Sequence, residues 1–306
     1  MATTVTAPEV RARKGGDRLV MVTAYDAPGA RVADAAGVDL ILVGDSVANN
    51  VLGYEDTLQV TVDDIAHHVA AVGRTRPRAL VVADLPWLSY HTGVGDAVRN
   101  AGRLVRAGAG AVKLEGGRKR LPVVEALIDA EIPVVGHLGL TPQSVLAMGG
   151  FKVQGRAGHA VRRLLDEALA LADAGVFALV LEGIPDRVAQ LVTDSIAVPT
   201  IGIGAGAACD GQVLVFHDLL GLGDRPVPKF VRAYAALGRD ATDAIARWAA
   251  DVRSGAFPGD AESYHLPAEA ARELGLEPHP AAPGPAEPAA GVASSRAPAP
   301  TGSGRS

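Results

Sequence analysis

Apolar positions along the chain fall into short runs bounded by Gly, Pro or Asp. Runs of this length read as strands, and those without polar alternation read as strands buried on both faces. Eight stand out: LVMVTAY (19–25), LILVG (40–44), ALVVAD (79–84), AVKLE (111–115), PVVGHL (133–138), ALVLEG (178–183), PTIGIG (199–204) and VLVFH (213–217). Between most of them lie Ala-rich amphipathic segments of helical length, at 27–37, 62–75, 94–108, 121–131 and 158–175. Several of these end in Gly just before the next run, as a helix C-cap does. Thr61 followed by Asp63 and Asp64 marks a helix start, because a hydroxyl and carboxylates satisfy the free amides of a first turn. Buried strands interleaved with helices predict a parallel sheet covered by helices. Eight such units predict a (β/α)8 barrel of the TIM type.

One connection breaks the pattern. Only AGAACDGQ (205–212) separates the seventh and eighth runs, too few residues for a crossover helix. Either a single helical turn serves there or one of the two runs lies outside the barrel. Beyond the eighth run, PKFVRAYAAL (228–237) and ATDAIARWAADVRSG (241–255) predict C-terminal helices, and FPGDAESYHL (257–266) closes the ordered part. The predicted organisation is an N-terminal arm at 1–17 and a single barrel domain with its C-terminal helices at 18–266. A tail at 277–306 is so rich in Pro, Ala, Gly and Ser that it is expected to be disordered, since it offers too little apolar surface to offset chain entropy.

Composition narrows the function classes. The 306 residues are 48% hydrophobic, enough for a large core, and the net charge is −5. An acidic chain of mixed sign argues against a nucleic-acid partner or an anionic membrane surface. The single Cys209 excludes an internal disulfide and a cysteine-based zinc site. No apolar run approaches the roughly 20 residues of a membrane span, and the N-terminal stretch lacks the apolar core of a secretory signal. A cytoplasmic protein is the expectation.

The candidate chemistry sits where the apolar runs stop. Asp45 follows the second run, Asp84 ends the third, Lys113 and Glu115 lie in the fourth, His137 in the fifth and Glu182 in the sixth. In a barrel of this type the C-terminal ends of the strands form the functional face. A carboxylate at the end of a buried strand costs several kcal/mol, on the order expected for an uncompensated charge, unless something there wants a negative charge. Lys113 and Glu115 are two residues apart, so both point to one side of their strand, while Val112 and Leu114 point to the other. Asp45, Asp84 and Glu115 together make an all-oxygen donor set suited to Mg²⁺. Taken singly, each reads equally well as a loop or capping carboxylate. Lys113 complements an anionic substrate group or forms a structural ion pair. His137 is a catalytic acid, a hydrogen-bond donor to substrate or a core histidine. The glycine-rich IGIGAG (201–206) is a phosphate loop or simply a set of tight turns. The pair His67-His68 has no histidine partner at i, i+4, so a helical zinc site fails.

Many collinear segments, from about residue 8 to about residue 266, resemble the ketopantoate hydroxymethyltransferase family. They are VTAYDAPGA, LVGDSVANNVLGYEDT, VTVDDIAHHVAAV, VVADLPWLSY, AGAGAVKLEGG, GHLGLTPQSV, GGFKVQGR, LVLEGIP, IGIGAG and CDGQVLVFHDLLG. The resemblance implies a barrel that binds one Mg²⁺ and uses 5,10-methylenetetrahydrofolate to hydroxymethylate 3-methyl-2-oxobutanoate through an enolate, giving 2-dehydropantoate for pantothenate biosynthesis. It also implies a homo-oligomer, a decamer of two stacked pentamers. The family's metal carboxylates fall on Asp45, Asp84 and Glu115, its contacts to the oxo acid on Ser46, Asp84 and Lys113, and its base on Glu182, with His137 close by. The competing enzyme class is a Mg²⁺-dependent lyase or mutase of the isocitrate lyase and phosphoenolpyruvate mutase type. Such enzymes carry a reactive cysteine loop, whereas Cys209 follows the seventh run.

Overall fold

The structure, a computed structural model, describes residues 4–150, 152–223 and 227–277. The expected tail at 277–306 lies outside the described residues except for Glu277. Two compact units divide between Thr242 and Asp243.

The first unit holds eight strands: β1 (Leu19–Thr23), β2 (Leu40–Val43), β3 (Leu80–Asp84), β4 (Ala111–Glu115), β5 (Val134–Gly139), β6 (Ala178–Glu182), β7 (Thr200–Ile203) and β8 (Gly211–Leu214). Each pairs in parallel with the next, and β8 pairs with β1, so the sheet closes into a (β/α)8 barrel. The helices outside it are α1 (Ala7–Ala12), α2 (Ala27–Ala35), α3 (Val47–Asn50), α4 (Val62–Gly73), α5 (Val94–Ala107) and α6 (Leu121–Asp129). They continue with α7 (Val145–Met148), α8 (Gly158–Asp173), α9 (Asp186–Ser195) and α10 (Phe216–Leu220). Thr61 caps α4 as expected, and its side chain and that of Asp64 satisfy each other's backbone amides in a reciprocal capping box.

Two apolar layers follow from strand periodicity. Residues such as Ile41, Val43, Val81, Ala83, Val112, Leu114, Leu179 and Leu181 form the layer between strands and helices. Their alternates, Leu19, Met21, Leu40, Leu42, Leu80, Val82, Ala111, Val135, Val180, Ile201 and Val213, fill the barrel interior. The arm at 1–17 contains helix α1, whose Ala7 and Val10 join that interior layer. Ion pairs tie the arm down, Arg13 to Asp39 at 2.7 Å and Lys14 to Asp210 at 2.9 Å. The polar end of the barrel is therefore the opposite, C-terminal one.

Three expectations need correction. Runs seven and eight are both barrel strands, and the segment between them is an irregular turn without a helix. The eighth strand is 211–214 instead of 213–217. Beyond Leu214 the chain leaves the ladder, with Phe216 N donating to Thr23 Oγ1 at 3.0 Å and Leu219 N closing the first turn of α10 on Val215 O at 2.9 Å. The segment 228–236 is not helical. There Phe230 lies against Gly204, where a Cβ would come within 2.7 Å of its ring, and Tyr234 N donates to Leu219 O at 2.8 Å. Such long-range contacts override a weak helical pattern.

Helix α11 (Leu237–Ser254) crosses the boundary between the units. The second unit contains most of it, a single turn at Asp260–Glu262 and α12 (Ala268–Glu273). Within that unit the Trp248 and Phe257 rings meet edge to face at 6.3 Å. Among the described residues no helix is long and apolar enough to cross a membrane.

Candidate active site

The inward alternation that fills the barrel with Leu and Val changes character at its C-terminal end. One step beyond Val82 the inward residue of β3 is Asp84, beyond Ala111 on β4 it is Lys113 and then Glu115, beyond Val135 on β5 it is His137, and beyond Val180 on β6 it is Glu182. The strand register sets them side by side: Asp84 is opposite Lys113, and Glu115 is opposite His137. Asp45 joins from the turn after β2. Asp45, Asp84, Lys113, Glu115 and His137 are all buried. Glu182 is the most open of the site carboxylates, with 16% of its side chain exposed against 2% for Asp84 and Glu115.

Two glycines make this crowding possible. At Gly44 a Cβ would come within 3.3 Å of Asp84 Oδ2 and 2.9 Å of Ser46 Oγ. Gly139, with φ 99°, lets β5 run so close to β6 that a Cβ would meet Glu182 O at 2.2 Å. The glycines of IGIGAG serve the same end: the space a side chain on Gly204 or Gly206 would need is filled by Phe230 and Asp186.

Lys113 Nζ lies 2.9 Å from Asp84 Oδ1, 3.8 Å from Glu115 Oε1 and 3.3 Å from His137 Nδ1. The His137 ring reaches two carboxylates, Glu115 Oε1 from Nδ1 and Glu182 Oε2 from Nε2, each at 3.2 Å. Burial and the Lys113 charge oppose the imidazolium, but Glu115 and Glu182 outweigh them and raise His137 to about 9. Burial, then the charges of Asp84 and Glu115, push Asp45 well above the usual carboxylate range. Burial also raises Asp84 against the pull of Lys113. Burial would raise Glu115 too, but His137, Lys113 and the Gln143 amide hold it below its ordinary value.

The carboxylates therefore outnumber the cations around them, and Asp45 carries the consequence. An excess of buried hard oxygens is the donor chemistry of Mg²⁺. Glu115 Oε1 and Asp84 Oδ1 are buried without an aligned hydrogen bond and are met only by the ion pairs to Lys113 and His137. Among the described residues no three His, Cys, Asp or Glu side chains already converge on one metal position. The set fits a divalent cation by donor type and charge and not by preformed coordination.

Three residues of the site escaped sequence reasoning. Gln143, in the turn Pro142–Ser144 after β5, is buried between Asp45 and Glu115. Tyr90 donates to Gln143 Oε1 at 2.7 Å, and the Arg120 guanidinium lies 5.4 Å above its ring. Tyr25, fully enclosed, shares a 2.8 Å hydrogen bond with Ser46 Oγ. A neutral Gln or Tyr at a strand end carries no cost that would flag it, so only the closed barrel reveals these contacts.

A family model described as ketopantoate hydroxymethyltransferase matches residues 4–260. The chain belongs to the ketopantoate hydroxymethyltransferase family. It is 60% identical over 264 residues to 3-methyl-2-oxobutanoate hydroxymethyltransferase 2 of Bradyrhizobium diazoefficiens, covering 86% of this chain and 90% of that protein. It is 55% identical over 262 residues to the 3-methyl-2-oxobutanoate hydroxymethyltransferase of Moorella thermoacetica, covering 85% and 97%. Among solved structures, 2,3-dimethylmalate lyase, a PEP mutase/isocitrate lyase superfamily member, is similar with a TM-score of 0.56 at 20% identity, covering 90% of this chain and 96% of that one. Phosphonopyruvate hydrolase, in complex with oxalate and Mg²⁺, is similar with a TM-score of 0.55 at 14% identity, covering 88% and 95%. At those identities the two structures share the ketopantoate hydroxymethyltransferase barrel fold and no more.

Proposed function

We propose that this chain is a 3-methyl-2-oxobutanoate hydroxymethyltransferase: it moves a one-carbon unit from 5,10-methylenetetrahydrofolate to 3-methyl-2-oxobutanoate, giving 2-dehydropantoate for pantothenate biosynthesis. The observation that carries the proposal is the buried cluster of Asp45, Asp84, Lys113, Glu115 and His137 at the barrel mouth, in a chain of this family. The family likeness also supports a homo-oligomer, proposed as a decamer, located in the cytoplasm.

The reaction removes a proton from carbon 3 of a 2-oxo acid, next to the ketone, and bonds that carbon to the folate's methylene carbon; water supplies the hydroxyl oxygen and tetrahydrofolate leaves. In our assignment Asp45, Asp84 and Glu115 hold Mg²⁺, which supplies Lewis-acid polarisation of the keto oxygen. Lys113 offers an ammonium, buried and donor-rich, to the carboxylate and oxygen of the substrate, where negative charge grows as the proton leaves. Ser46 adds a hydroxyl whose orientation is held by Tyr25. Glu182 takes the proton: it is the carboxylate nearest solvent and lies beyond the cation-binding set, across from β2 to β4. His137, an imidazolium 3.2 Å from Glu182, steadies the carboxylate before transfer. The lyase or mutase alternative lacks its reactive cysteine loop, because Cys209 follows β7, is buried, and burial pushes its thiol up.

Exchange of the 3-hydrogen of 3-methyl-2-oxobutanoate in D₂O, followed by NMR, tests the proposal. Exchange should require Mg²⁺ but not folate, and adding 5,10-methylenetetrahydrofolate should convert the 2-oxo acid to 2-dehydropantoate. Exchange that persists unchanged in EDTA, or its absence with Mg²⁺ present, is the result against it.

A further inference from the structure

Gln143 makes four hydrogen bonds from a buried position, and two of them reach the carboxylates on either side of it. Its side-chain Nε2 donates to Asp45 Oδ2 at 2.8 Å and to Leu85 O at 3.0 Å. Its backbone N donates to Glu115 Oε2 at 3.0 Å. Its Oε1 accepts from Tyr90 OH at 2.7 Å. Tyr90 OH accepts from Glu115 N at 3.2 Å, and of the two acceptors within reach of its one proton, Gln143 Oε1 at 2.7 Å and Glu115 O at 3.3 Å, the shorter contact is to Gln143. That contact fixes the amide: with Oε1 facing the phenol, only Nε2 is left for Asp45. The third carboxylate is treated alike, since Asp84 Oδ2 accepts from Asp45 N at 2.9 Å.

The result is a division of labour within each carboxylate. Asp45 Oδ2, Asp84 Oδ2 and Glu115 Oε2 are anchored to the protein. Asp84 Oδ1 and Glu115 Oε1 are buried without an aligned hydrogen bond, and both face the Lys113 ammonium. A carboxylate free to rotate would spend both oxygens on whatever donor is nearest. One held by a single oxygen presents the other in a fixed direction. Gln143 anchors two of the three, through its side chain for Asp45 and its backbone amide for Glu115.

We propose that Gln143 is the positioning residue of the cation site, setting the directions of Asp45 and Glu115, with Tyr90 holding its amide in the working orientation. This rests on the assignment of Asp45, Asp84 and Glu115 to a divalent cation. Groups that orient ligands typically govern affinity by 10- to 100-fold.

The test measures Mn²⁺ binding by EPR of the free ion, on the full chain without substrates. Gln143→Met keeps the length and the backbone amide but removes every side-chain hydrogen bond. Its Mn²⁺ affinity should fall by roughly 10- to 100-fold, and in turnover assays the Mg²⁺ needed for half-maximal rate should rise with it, with kcat at saturating Mg²⁺ much less affected. Tyr90→Phe leaves Gln143 in place and frees its amide to turn, so affinity should fall in the same direction by a smaller factor. Wild-type Mn²⁺ affinity in either folded variant overturns the proposal, including the case where only thermal stability drops. Should Gln143→Met fail to fold, Tyr90→Phe decides alone. A wild-type chain that binds no Mn²⁺ overturns both the cation assignment and this inference. One that binds Mn²⁺ without transferring a hydroxymethyl group overturns the reaction, and the variant affinities still decide the role of Gln143.

Discussion

Replacing Glu182 by Gln separates proton removal from substrate binding. Gln has nearly the same shape, and its amide oxygen can still face His137 Nε2, which lies 3.2 Å from the carboxylate. The loss is confined to one negative charge and one proton acceptor. Asp45, Asp84, Glu115 and Lys113 do not touch Glu182, so the 2-oxo acid should bind in the presence of Mg²⁺ within roughly tenfold of wild type, about 1.4 kcal/mol. A positioned general base contributes roughly 10² to 10⁴ in rate, or about 3–5 kcal/mol of barrier. Hydrogen exchange at carbon 3 and overall turnover should therefore both fall by on the order of 10² or more, together, while binding holds. Calorimetry of 2-oxo-acid binding run beside solvent-exchange NMR reads both quantities on one preparation. If Glu182 only orders the substrate, binding and rate will weaken in parallel and exchange per bound molecule will be nearly normal. Unimpaired exchange in the Gln variant refutes the base assignment.

The other predictions probe the cluster, the floor of the barrel and its acid stability. Asp84→Asn keeps an acceptor for the Asp45 amide but removes a charge from the cation set, so Mg²⁺ affinity by calorimetry and turnover should both drop at least tenfold with the circular dichroism spectrum unchanged; wild-type values would remove Asp84 from the site. Val10→Ala deletes two methyls from a fully enclosed side chain beneath the barrel, at a cost of about 2–3 kcal/mol. For a domain of this size that is a fall of roughly 4–12 °C in thermal midpoint, and a shift under 2 °C would show that α1 does not seal the floor. Asp210 accepts hydrogen bonds from Thr200 N at 2.8 Å, Lys14 Nζ at 2.9 Å and Gly15 N at 3.0 Å. Burial raises its pKa, but these donors outweigh it and hold the group below its ordinary value. A lowered folded-state pKa means the carboxylate stabilises the fold above its unfolded pKa of about 3.9 and loses that contribution as pH falls through the folded value. Asp210→Asn should thus be less stable than wild type at pH 7 by denaturant titration, with the gap narrowing below about pH 4; a gap independent of pH would refute the charge argument.

Much of the architecture was legible in the sequence because it follows from local periodicity. Strands buried on both faces must be continuous apolar runs, and helices covering them must carry an apolar stripe, so eight alternating units could be counted before any contact was known. Asp45, Asp84, Lys113, Glu115, His137 and Glu182 were equally visible, since charge at the end of a buried strand is costly enough to signal a purpose. The limits of β8 and the non-helical course of 228–236 were not, because they are set by Thr23, Leu219 and Gly204, residues far away in the chain.

What only the tertiary structure decided is which of these groups meet. Register places Asp84 against Lys113 and Glu115 against His137, and no property of any single strand contains that pairing. Gln143 and Tyr90 are uncharged and sit in loops, where their residue types are ordinary. They acquire a role because closure of the barrel carries residues 45, 90, 115 and 143 into one hydrogen-bonded group. The sequence determines which residues are too costly to bury alone, and the fold determines which partners meet that cost, because a hydrogen bond depends on distance and direction and a one-dimensional pattern carries neither.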